Sequence, residues 1–428
     1  MHFPLFNWHI YCHIVDNFGD VGILWRLARQ LANEHGQRVH LWVDNWDVAR
    51  ALIRELPEEP QIVEFETEDG GRRTAEKGPS PIGLRLFVGP WSALADGSDC
   101  TGDVLIEGFG CELPAITQAQ VKTRVSAGVP KPLWVNLEYF TAEKWVEGFH
   151  LRSGFDPPTG WRRWFFFPSF PGRCGGLIRE RSISARSGLP NLLGRTPGAD
   201  LRILCFAYAN APYAAWLNGL REASAQPIHL LLCGEYTQKA VILAKAGIHN
   251  APNKEPAKAR KEMVIDSRPR RNDIELMAGM TAETVPFLSQ PNFDDLLRSA
   301  NMLWVRGEDS LARALWSGRP FIWQLYPQEE NAHHAKLEAW LENYAAPFSV
   351  ELREALADVH RAWNGAADAD SIKPALQKLM ALWPEWQAAA RARSDELAKL
   401  PDLAENLLRF VNKSDRSERS RPVDDFLH

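Results

Sequence analysis

The sequence predicts an α/β protein built from two Rossmann-like domains that face each other across a cleft. Three observations support this fold class. Short apolar runs typical of buried strands alternate with amphipathic stretches of helical period, in two successive series. A polar stretch with Pro and Gly, residues 181–199, separates the two series. The chain has 428 residues, a length that suits two domains.

The first series begins with a β-α-β unit, for which a right-handed crossover is expected. Its predicted elements are a strand over 8–15, a helix over 23–32, a strand over 39–43, a helix around 47–55 and strands over 103–107 and 132–139. Residues 64–83 are rich in Gly, Pro and charge, which indicates a surface loop. We expect the first domain to span residues 1–183.

The second series repeats this architecture without a recognisable sequence repeat. Its predicted elements are strands over 201–208, 229–233, 284–288, 301–305 and 320–325, and helices over 212–222, 292–299 and 311–316. Residues 250–275 are basic and polar and indicate a loop, and residues 332–412 are mainly helical. We expect the second domain to span 200–394, with the helices of about 395–413 packing back on the first domain.

Composition excludes several classes of protein. The formal net charge is -5, so the global basic field expected of a nucleic-acid-binding protein is absent. Six scattered cysteines without a C-x-x-C pair predict buried thiols in a reducing cytosol, and neither a disulfide framework nor a zinc site. The longest uncharged run, 203–220, contains Pro and Asn and is a poor membrane span, and the N-terminus lacks a secretion signal. These features predict a cytoplasmic protein with no membrane partner.

The first strand-to-helix turn contains the stretch Asp16-Asn17-Phe18-Gly19-Asp20-Val21-Gly22. Two carboxylates, two glycines and an aromatic ring fall here at the carboxyl end of a strand, where open α/β sheets bind ligands. The competing interpretations are that Asp20 caps the helix and that Asp16 is an ordinary turn residue. The stretch has no G-x-G-x-x-G and no P-loop lysine, so no nucleotide fingerprint decides between them.

Glu107 and Glu138 also fall at predicted strand ends near this edge of the sheet. They are candidates for the same site. An exposed charge at the end of a strand is the commoner explanation for a carboxylate in such a position.

A second candidate site is the stretch 306–310, between a predicted strand and a predicted helix. The start of a helix offers free N–H groups and a positive dipole end, which suit a diphosphate. Arg306 adds a charge and Ser310 a hydroxyl, while Glu308 or Asp309 could accept hydrogen bonds from sugar hydroxyls. The competing interpretation is a helix capped by Asp309 or Ser310.

Three residues just before this stretch suit a pyrimidine base. Phe287 and Phe293 could stack on the base and Gln290 could hydrogen-bond its edge. A phenylalanine in such a position is more often a core residue than a platform for a base.

Several motifs, in chain order, resemble those of one family. They are Asp16-Asn17-Phe18-Gly19-Asp20-Val21-Gly22 with Trp25-Arg26-Leu27-Ala28-Arg29, Ile106-Glu107-x-Phe109, Leu133-Trp134-x-Asn136-x-Glu138-Tyr139, Gly175-Gly176-Leu177-Ile178-Arg179-Glu180, Arg306-Gly307-Glu308-Asp309-Ser310 and Tyr326-Pro327-Gln328-x-Glu330-Asn331-x-His333. Together they resemble the EarP family, the protein-arginine rhamnosyltransferases of translation elongation factor P. The resemblance spans nearly the whole chain. The chain departs from it in longer loops at about 64–102 and 245–282.

The resemblance implies a GT-B glycosyltransferase fold and an inverting mechanism. The implied donor is dTDP-β-L-rhamnose, and the implied acceptor is an arginine at the tip of a loop in elongation factor P. The product would be an α-rhamnosyl arginine. No metal and no cofactor are expected, which agrees with the absence of a metal-ligand cluster in the sequence.

The resemblance also implies roles for particular residues. Asp20 would be the general base and Asp16 its partner near the acceptor, with Asn17, Phe18 and Gly19 in the same substrate-binding stretch. The second domain would hold the nucleotide sugar. Its implied contacts to thymine and phosphates are Phe206, Tyr208, Phe287, Gln290 and Phe293, and those to ribose, diphosphate and rhamnose are Arg306, Glu308, Asp309, Ser310 and Tyr326.

Two alternative functions remain open at this point. A GT-B nucleotide-sugar epimerase or hydrolase would share the nucleotide half but need no protein acceptor. A non-catalytic nucleotide-sugar-binding protein would be expected to lack Asp16 or Asp20, and both are present.

Overall fold

A computed structural model describes residues 3–15, 17–65, 86–156, 161–170, 172, 174–185, 200–245 and 274–419. The chain forms two compact units. The first comprises the residues up to Ser182 together with those from Leu400 onward, and the second comprises Ile183–Lys399. Most of the predicted linker, residues 186–199, lies outside the described residues.

The elements of the first unit up to the junction alternate as expected. They are β1 (Asn7–Cys12), α1 (Asn17–His35), β2 (Arg38–Val43), α2 (Trp46–Leu52), β3 (Val63–Phe65), β4 (Leu86–Pro90), α3 (Ser92–Ala95), β5 (Val104–Gly108), α4 (Ala115–Ser126), β6 (Leu133–Leu137), β7 (Ser153–Asp156), β8 (Trp161–Phe166) and α5 (Arg181–Ala185). The strands form one sheet in the order β3-β4-β2-β1-β5-β6-β8-β7. All neighbours pair in parallel except the two edge strands, β3 and β7, which are antiparallel.

The second unit contains the other sheet and most of the helices. Its elements are β9 (Leu201–Cys205), α6 (Tyr213–Ala223), β10 (Ile228–Cys233), α7 (Glu235–Lys245), β11 (Ile274–Met277), β12 (Met280–Val285), α8 (Gln290–Ser299), β13 (Met302–Arg306), α9 (Gly307–Ser317), β14 (Phe321–Gln324), α10 (Ala332–Tyr344), α11 (Val350–Trp363), α12 (Ile372–Ala381) and α13 (Trp383–Leu397). The sheet order is β11-β12-β10-β9-β13-β14, parallel except for β11. The last helix, α14 (Leu403–Arg419), belongs to the first unit.

The structure corrects the predicted start of the first helix. α1 begins at Asn17, so Phe18, Gly19 and Asp20 lie in its first turn and not in a preceding loop. Gly19 and Gly22 are not among the described residues with a positive φ, so both have the ordinary backbone conformation of a helix. Neither glycine therefore occupies a turn position that requires a positive φ.

Two strands of the first unit lie in a stretch predicted as loop. The segment at about 64–102 contains the end of β3, all of β4 and the short helix α3. β4 is only five residues long and is held by parallel pairing with β2, from Val39 opposite Leu86 to Val43 opposite Pro90. A strand this short depends on a partner remote in sequence, and residues 66–85 between the two strands lie outside the described part of the chain.

The starts of two helices in the second unit also differ from the prediction. α8 begins at Gln290, with Ser289 in the cap position and Pro291 in the first turn, so Asn292 does not cap it. α9 begins at Gly307, four residues before the predicted start. Residues 307–310 of the candidate stretch therefore lie inside its first turn, and Arg306 occupies the cap position.

None of the described helices is long and apolar enough to cross a membrane. All six cysteines lie in the described part of the chain, and none of them forms a disulfide. Cys12, Cys100, Cys205 and Cys233 are buried, and the other two are half-buried.

A stack of rings crosses three neighbouring strands of the first sheet. His9 of β1, His40 of β2 and Phe87 of β4 occupy one register row, and both ring pairs lie 4.5 Å apart between centroids with nearly parallel planes. His9 accepts a hydrogen bond at Nδ1 from Trp42 Nε1 at 3.0 Å. Burial lowers the pKa of His40 from 6.5 to about 4 and lowers that of His9 well below its ordinary value, so both rings are neutral at neutral pH.

This stack predicts acid sensitivity of the first unit. The folded state binds fewer protons than the unfolded chain between pH 6.5 and 4, so the free energy of unfolding falls as pH is lowered through that window. For His40 alone we expect a loss of about 2 kcal/mol between pH 7 and pH 5. Urea unfolding at both pH values checks this, with His40→Phe as the variant because it keeps the stack. A His40→Phe protein whose stability falls as steeply as that of the wild type contradicts the prediction.

Candidate functional site

The carboxyl edge of the first sheet gathers polar side chains from several strand ends. His13 follows β1 and Asp44 follows β2, and His13 Nδ1 lies 2.5 Å from Asp44 Oδ2. The backbone N–H of Ile14 donates to the other oxygen of Asp44 at 2.9 Å. This pair fixes the chain that leaves β1 against the end of β2, directly before α1.

Asp20 is the carboxylate that this edge holds most tightly. It lies in the first turn of α1 and is only 1% exposed. Its Oδ2 accepts a hydrogen bond from the backbone N–H of Val15 at 2.8 Å, and its Oδ1 accepts one from the hydroxyl of Tyr139 at 2.9 Å. Asp20 therefore does not cap the helix from outside but reaches back across its start. The dipole of α1 favours a negative charge in this position.

Tyr139 joins the ends of two further strands to Asp20. It lies two residues beyond the end of β6, is 39% exposed, and stacks on Phe109, which follows β5, with a centroid distance of 4.4 Å and an interplanar angle of 10°. The sequence analysis did not single out Tyr139 or Phe109 as site residues, although both lie in the motifs that carry the family resemblance. The sequence signal that could have identified both residues is their position directly after predicted strands.

Glu107 proves to be a structural carboxylate. It is fully buried inside β5, which contradicts its interpretation as an exposed strand end. It accepts hydrogen bonds at 2.9 Å from Trp134 Nε1 and from the backbone N–H of Glu112, and Arg163 Nη1 lies 3.4 Å from it. These contacts fix the loop that carries Phe109. Glu138 is half-buried, accepts from Asn136 Nδ2 at 2.6 Å, and burial raises its pKa.

The structure describes the other predicted residues of the stretch 16–20 only in part. Asp16 lies outside the described residues, and the side chain of Asn17 is not described. Phe18 and Gly19 are half-buried in the first turn of α1. The assignment of Asp16 as a partner of Asp20 therefore stays a prediction.

The motif at 175–180 connects α1 to the start of α14. Arg26 of α1, nearly fully buried, forms an ion pair with Glu180 at 3.2 Å. Gln30 Nε2 donates to the backbone oxygen of Arg179 at 2.8 Å and to Asp402 Oδ2 at 3.1 Å. This motif therefore positions α1, the helix that carries Asp20.

In the second unit a row of aromatic rings and one guanidinium follows the carboxyl edge of the sheet. The guanidinium carbon of Arg306, at the end of β13, lies 4.7 Å from the ring centroid of Phe206 and 4.4 Å from that of Tyr208, both beyond β9. Phe293 of α8 packs edge-on against Phe206, and Tyr326 packs edge-on against Tyr208. The structure thus brings five of the predicted residues into one contiguous surface.

The start of α9 adjoins this row. Arg306 occupies the cap position but its side chain makes no capping hydrogen bond, so the first turn keeps backbone N–H groups that a side chain does not cap. Gly307 has a φ of 69°, a conformation that favours glycine, and its carbonyl accepts from Trp323 Nε1 at 2.8 Å. Ser310 is buried in this first turn. An uncapped helix start beside an arginine is suited to bind an anion.

Glu308 has a partner that sequence reasoning missed. Lys336 Nζ of α10 lies 2.6 Å from Glu308 Oε1, and both side chains are only 17% exposed. Asp309 is half-buried in the same turn. The only sequence signal for Lys336 is that it lies three residues after His333, in the motif that begins at Tyr326.

A buried amide links the ends of β9 and β14. Gln324, 1% exposed, accepts at Oε1 from the backbone N–H of Tyr208 at 2.7 Å and donates through Nε2 to Asn210 Oδ1 at 3.2 Å. This network fixes the loop that presents Tyr208. Gln290 is buried at the start of α8, and Phe287 is half-buried in the segment before it.

Among the described residues, no three His, Cys, Asp or Glu side chains are grouped in a way that could hold a metal ion. Arg306 and Lys336 contribute cationic side chains to the second candidate site.

Comparisons with known proteins agree on one family. The family model described as "Elongation-Factor P (EF-P) rhamnosyltransferase EarP" matches residues 8–412. A protein-arginine rhamnosyltransferase of Pseudomonas putida is 36% identical over 95% of this chain and 99% of its own length. One of Pseudomonas aeruginosa is 34% identical over 94% and 98%, respectively.

A solved structure agrees with the sequence comparisons. It is described as "Structural basis for EarP-mediated arginine glycosylation of translation elongation factor EF-P" and is similar to this chain with a TM-score of 0.57. The identity is 27%, over 96% of this chain and 99% of the other.

Proposed function

This chain belongs to the EarP family of elongation factor P rhamnosyltransferases and is a glycosyltransferase of GT-B fold, and we propose that it transfers L-rhamnose from dTDP-β-L-rhamnose to an arginine of elongation factor P. The observation that carries this proposal is Asp20, a buried carboxylate fixed at a helix start by hydrogen bonds from two strand ends. A guanidinium nucleophile needs a carboxylate of this kind to accept its proton as the new bond forms.

The acceptor is a weak nucleophile because its side chain is protonated, with a pKa above about 12. A carboxylate can orient the guanidinium, neutralise its charge and accept the proton as the new bond forms. In this proposal a guanidinium nitrogen attacks C1 of rhamnose, the bond from C1 to the diphosphate oxygen breaks, and the proton passes to Asp20. Attack opposite the leaving group converts the β-linked donor into an α-linked product. Asp16 assists at the same turn.

The donor occupies the second unit in this proposal. Thymine lies against Phe206 and Phe293, with Phe287 and Gln290 on the neighbouring segment. The uncapped start of α9, Ser310 and Arg306 take the charge that develops on the diphosphate as it leaves. Glu308, Asp309 and Tyr326 border the sugar and ribose, and Tyr208 borders the thymine and phosphates. Since backbone dipoles and a guanidinium can neutralise a diphosphate, we propose that no metal or other cofactor is required.

The test is the intact mass of elongation factor P after incubation with this protein and dTDP-β-L-rhamnose. We expect a gain of one deoxyhexose, located on an arginine by fragmentation. Release of dTDP without a mass gain would support a hydrolase, and an altered sugar without elongation factor P would support an epimerase. Binding of dTDP without any turnover would support a binding protein. Each of these three results overturns the proposed transfer.

The donor site predicts a loss of nucleotide affinity in two variants. Arg306→Ala removes a charge-assisted contact and we expect about 10- to 100-fold weaker binding of dTDP, while Ser310→Ala removes one neutral hydrogen bond and weakens it by about 3- to 10-fold. Calorimetry with dTDP measures both. Arg361→Ala is the matched control, because Arg361 is also an arginine of the second unit but pairs with Glu338 at an exposed site. Unchanged affinity in Arg306→Ala and Ser310→Ala would contradict the assignment of the donor site.

A further inference from the structure

The aromatic pair formed by Phe109 and Tyr139 lies at the entrance to Asp20. Asp20 is 1% exposed, whereas the tyrosine that donates to its Oδ1 is 39% exposed. The ring of Tyr139 is therefore at the protein surface while its hydroxyl contacts the buried carboxylate. Tyr139 therefore connects the solvent-exposed surface to the buried carboxylate of Asp20.

The loop that carries Phe109 is built at a conformational cost. Phe109 has a φ of 57°, in the left-handed region that bulky residues rarely adopt, and Gly110 follows with a φ of 70°. The backbone N–H of Phe109 donates to Leu137 O at 2.7 Å, and that of Gly110 donates to Asn136 Oδ1 at 3.1 Å. The end of β6 therefore holds this loop, and with it the Phe109 ring, against the ring of Tyr139 at 4.4 Å.

A planar cation matches this arrangement. A guanidinium stacks on an aromatic face and keeps its N–H donors in its own plane, so stacking and donation to a carboxylate do not compete. Asp20 provides the carboxylate next to the rings. Glu138, adjacent to Tyr139 in the chain, adds a half-buried carboxylate at the end of the same strand, β6.

We propose that Tyr139 and Phe109 form the platform on which the acceptor guanidinium lies, and that the Tyr139 hydroxyl positions the carboxylate of Asp20 for proton transfer. This inference rests on the proposed transfer to arginine. Tyr139 thus has two separable parts: its ring contacts the acceptor, and its hydroxyl acts through Asp20. Phe109 stacks on the ring of Tyr139 and completes the aromatic pair.

Two variants separate these parts in steady-state kinetics with elongation factor P. Tyr139→Phe keeps the ring and removes the hydroxyl, so we expect kcat to fall about 10-fold with little change in the KM for elongation factor P. Phe109→Leu keeps that hydrogen bond and removes the aromatic face, so we expect the KM for elongation factor P to rise about 5-fold while the KM for the donor is unchanged.

Matched controls make the result decisive. Tyr344→Phe removes the hydroxyl of a tyrosine fully buried in the second unit, and its kinetics should equal those of the wild type. Melting temperatures close to wild type exclude loss of fold as the cause of the changes. A Tyr139→Phe enzyme with wild-type kcat, or with its loss in KM and not in kcat, overturns the positioning role, and a Phe109→Leu enzyme with unchanged KM for elongation factor P overturns the platform. If the wild type itself fails to modify elongation factor P, the proposed function fails first, and the two failures are therefore distinguishable.

Discussion

We expect replacement of Asp20 by asparagine to lower the rate of the proposed rhamnosyl transfer by about 10²- to 10⁴-fold and to leave the affinity for dTDP close to that of the wild type. An amide has the size of the carboxylate and can still accept the N–H of Val15, while the Tyr139 hydroxyl can turn to accept from the new Nδ2. The fold is therefore retained. What is lost is the charge that neutralises the guanidinium and the oxygen that takes its proton.

The measurement is single-turnover transfer followed by intact mass, combined with calorimetry of dTDP. Asp103→Asn is the matched control, because Asp103 is another carboxylate of the first unit that accepts a backbone N–H, from Asn7 at 2.8 Å, but lies before β5 and so at the opposite edge of the sheet. We expect its transfer rate to stay near that of the wild type. Loss of dTDP binding in Asp20→Asn would instead place Asp20 in the nucleotide site and contradict its role as base.

The sequence predicted those features that are local. Alternating strands and helices follow from hydrophobic period, and the carboxyl ends of parallel strands meet at one edge, so residues after predicted strands were good candidates for a site. Phe206, Tyr208 and Arg306 are such residues, and the structure places them in contact. The candidate site at 306–310 could be predicted because it requires only one strand and the start of the helix that follows it.

Features that depend on remote partners were not predicted. The hydroxyl of Tyr139 and the carboxylate of Asp20 are 119 positions apart in the chain, and no period or motif spacing encodes their hydrogen bond. Likewise Lys336 of α10 and Glu308 of α9 are 28 positions apart in the chain, and no sequence spacing encodes their ion pair. Glu107 shows the converse case, since a carboxylate in an apolar strand becomes a buried anchor once Trp134 and Arg163 lie beside it.

The length of α1 was underestimated for a physical reason. Its first two turns contain Gly19 and Gly22, which have low helix propensity and therefore predicted a loop. Tertiary contacts override that preference. Asp20 binds Val15 across the start of the helix, and Arg26 and Gln30 tie its middle to the segment at 179–180. The candidate base is consequently carried on a helix rather than on a loop.

The largest stability effect is expected at Arg313, in the helix whose start forms the donor site. Arg313 of α9 is 1% exposed and forms two parallel hydrogen bonds to Asp294 of α8, Nε to Oδ1 at 3.0 Å and Nη2 to Oδ2 at 2.9 Å. Arg313→Met leaves the Asp294 carboxylate buried without this cation, and we expect the second unit to lose about 3–5 kcal/mol of its free energy of unfolding. Urea unfolding followed by tryptophan fluorescence measures the loss.

A second ion pair of the same geometry separates the effect of burial from the effect of the bond itself. Arg361 donates through Nε and Nη2 to the two oxygens of Glu338 at 2.7 and 2.8 Å, but the arginine is 41% exposed. Because water solvates both charges when this pair is broken, Arg361→Met should cost no more than about 1 kcal/mol. The double variant Arg313→Met with Asp294→Leu should recover most of the loss, since it removes the unpaired charge. Equal losses at the two arginines, or no recovery in the double variant, would mean that the shape of Arg313 and not its charge holds α9 in place beside α8.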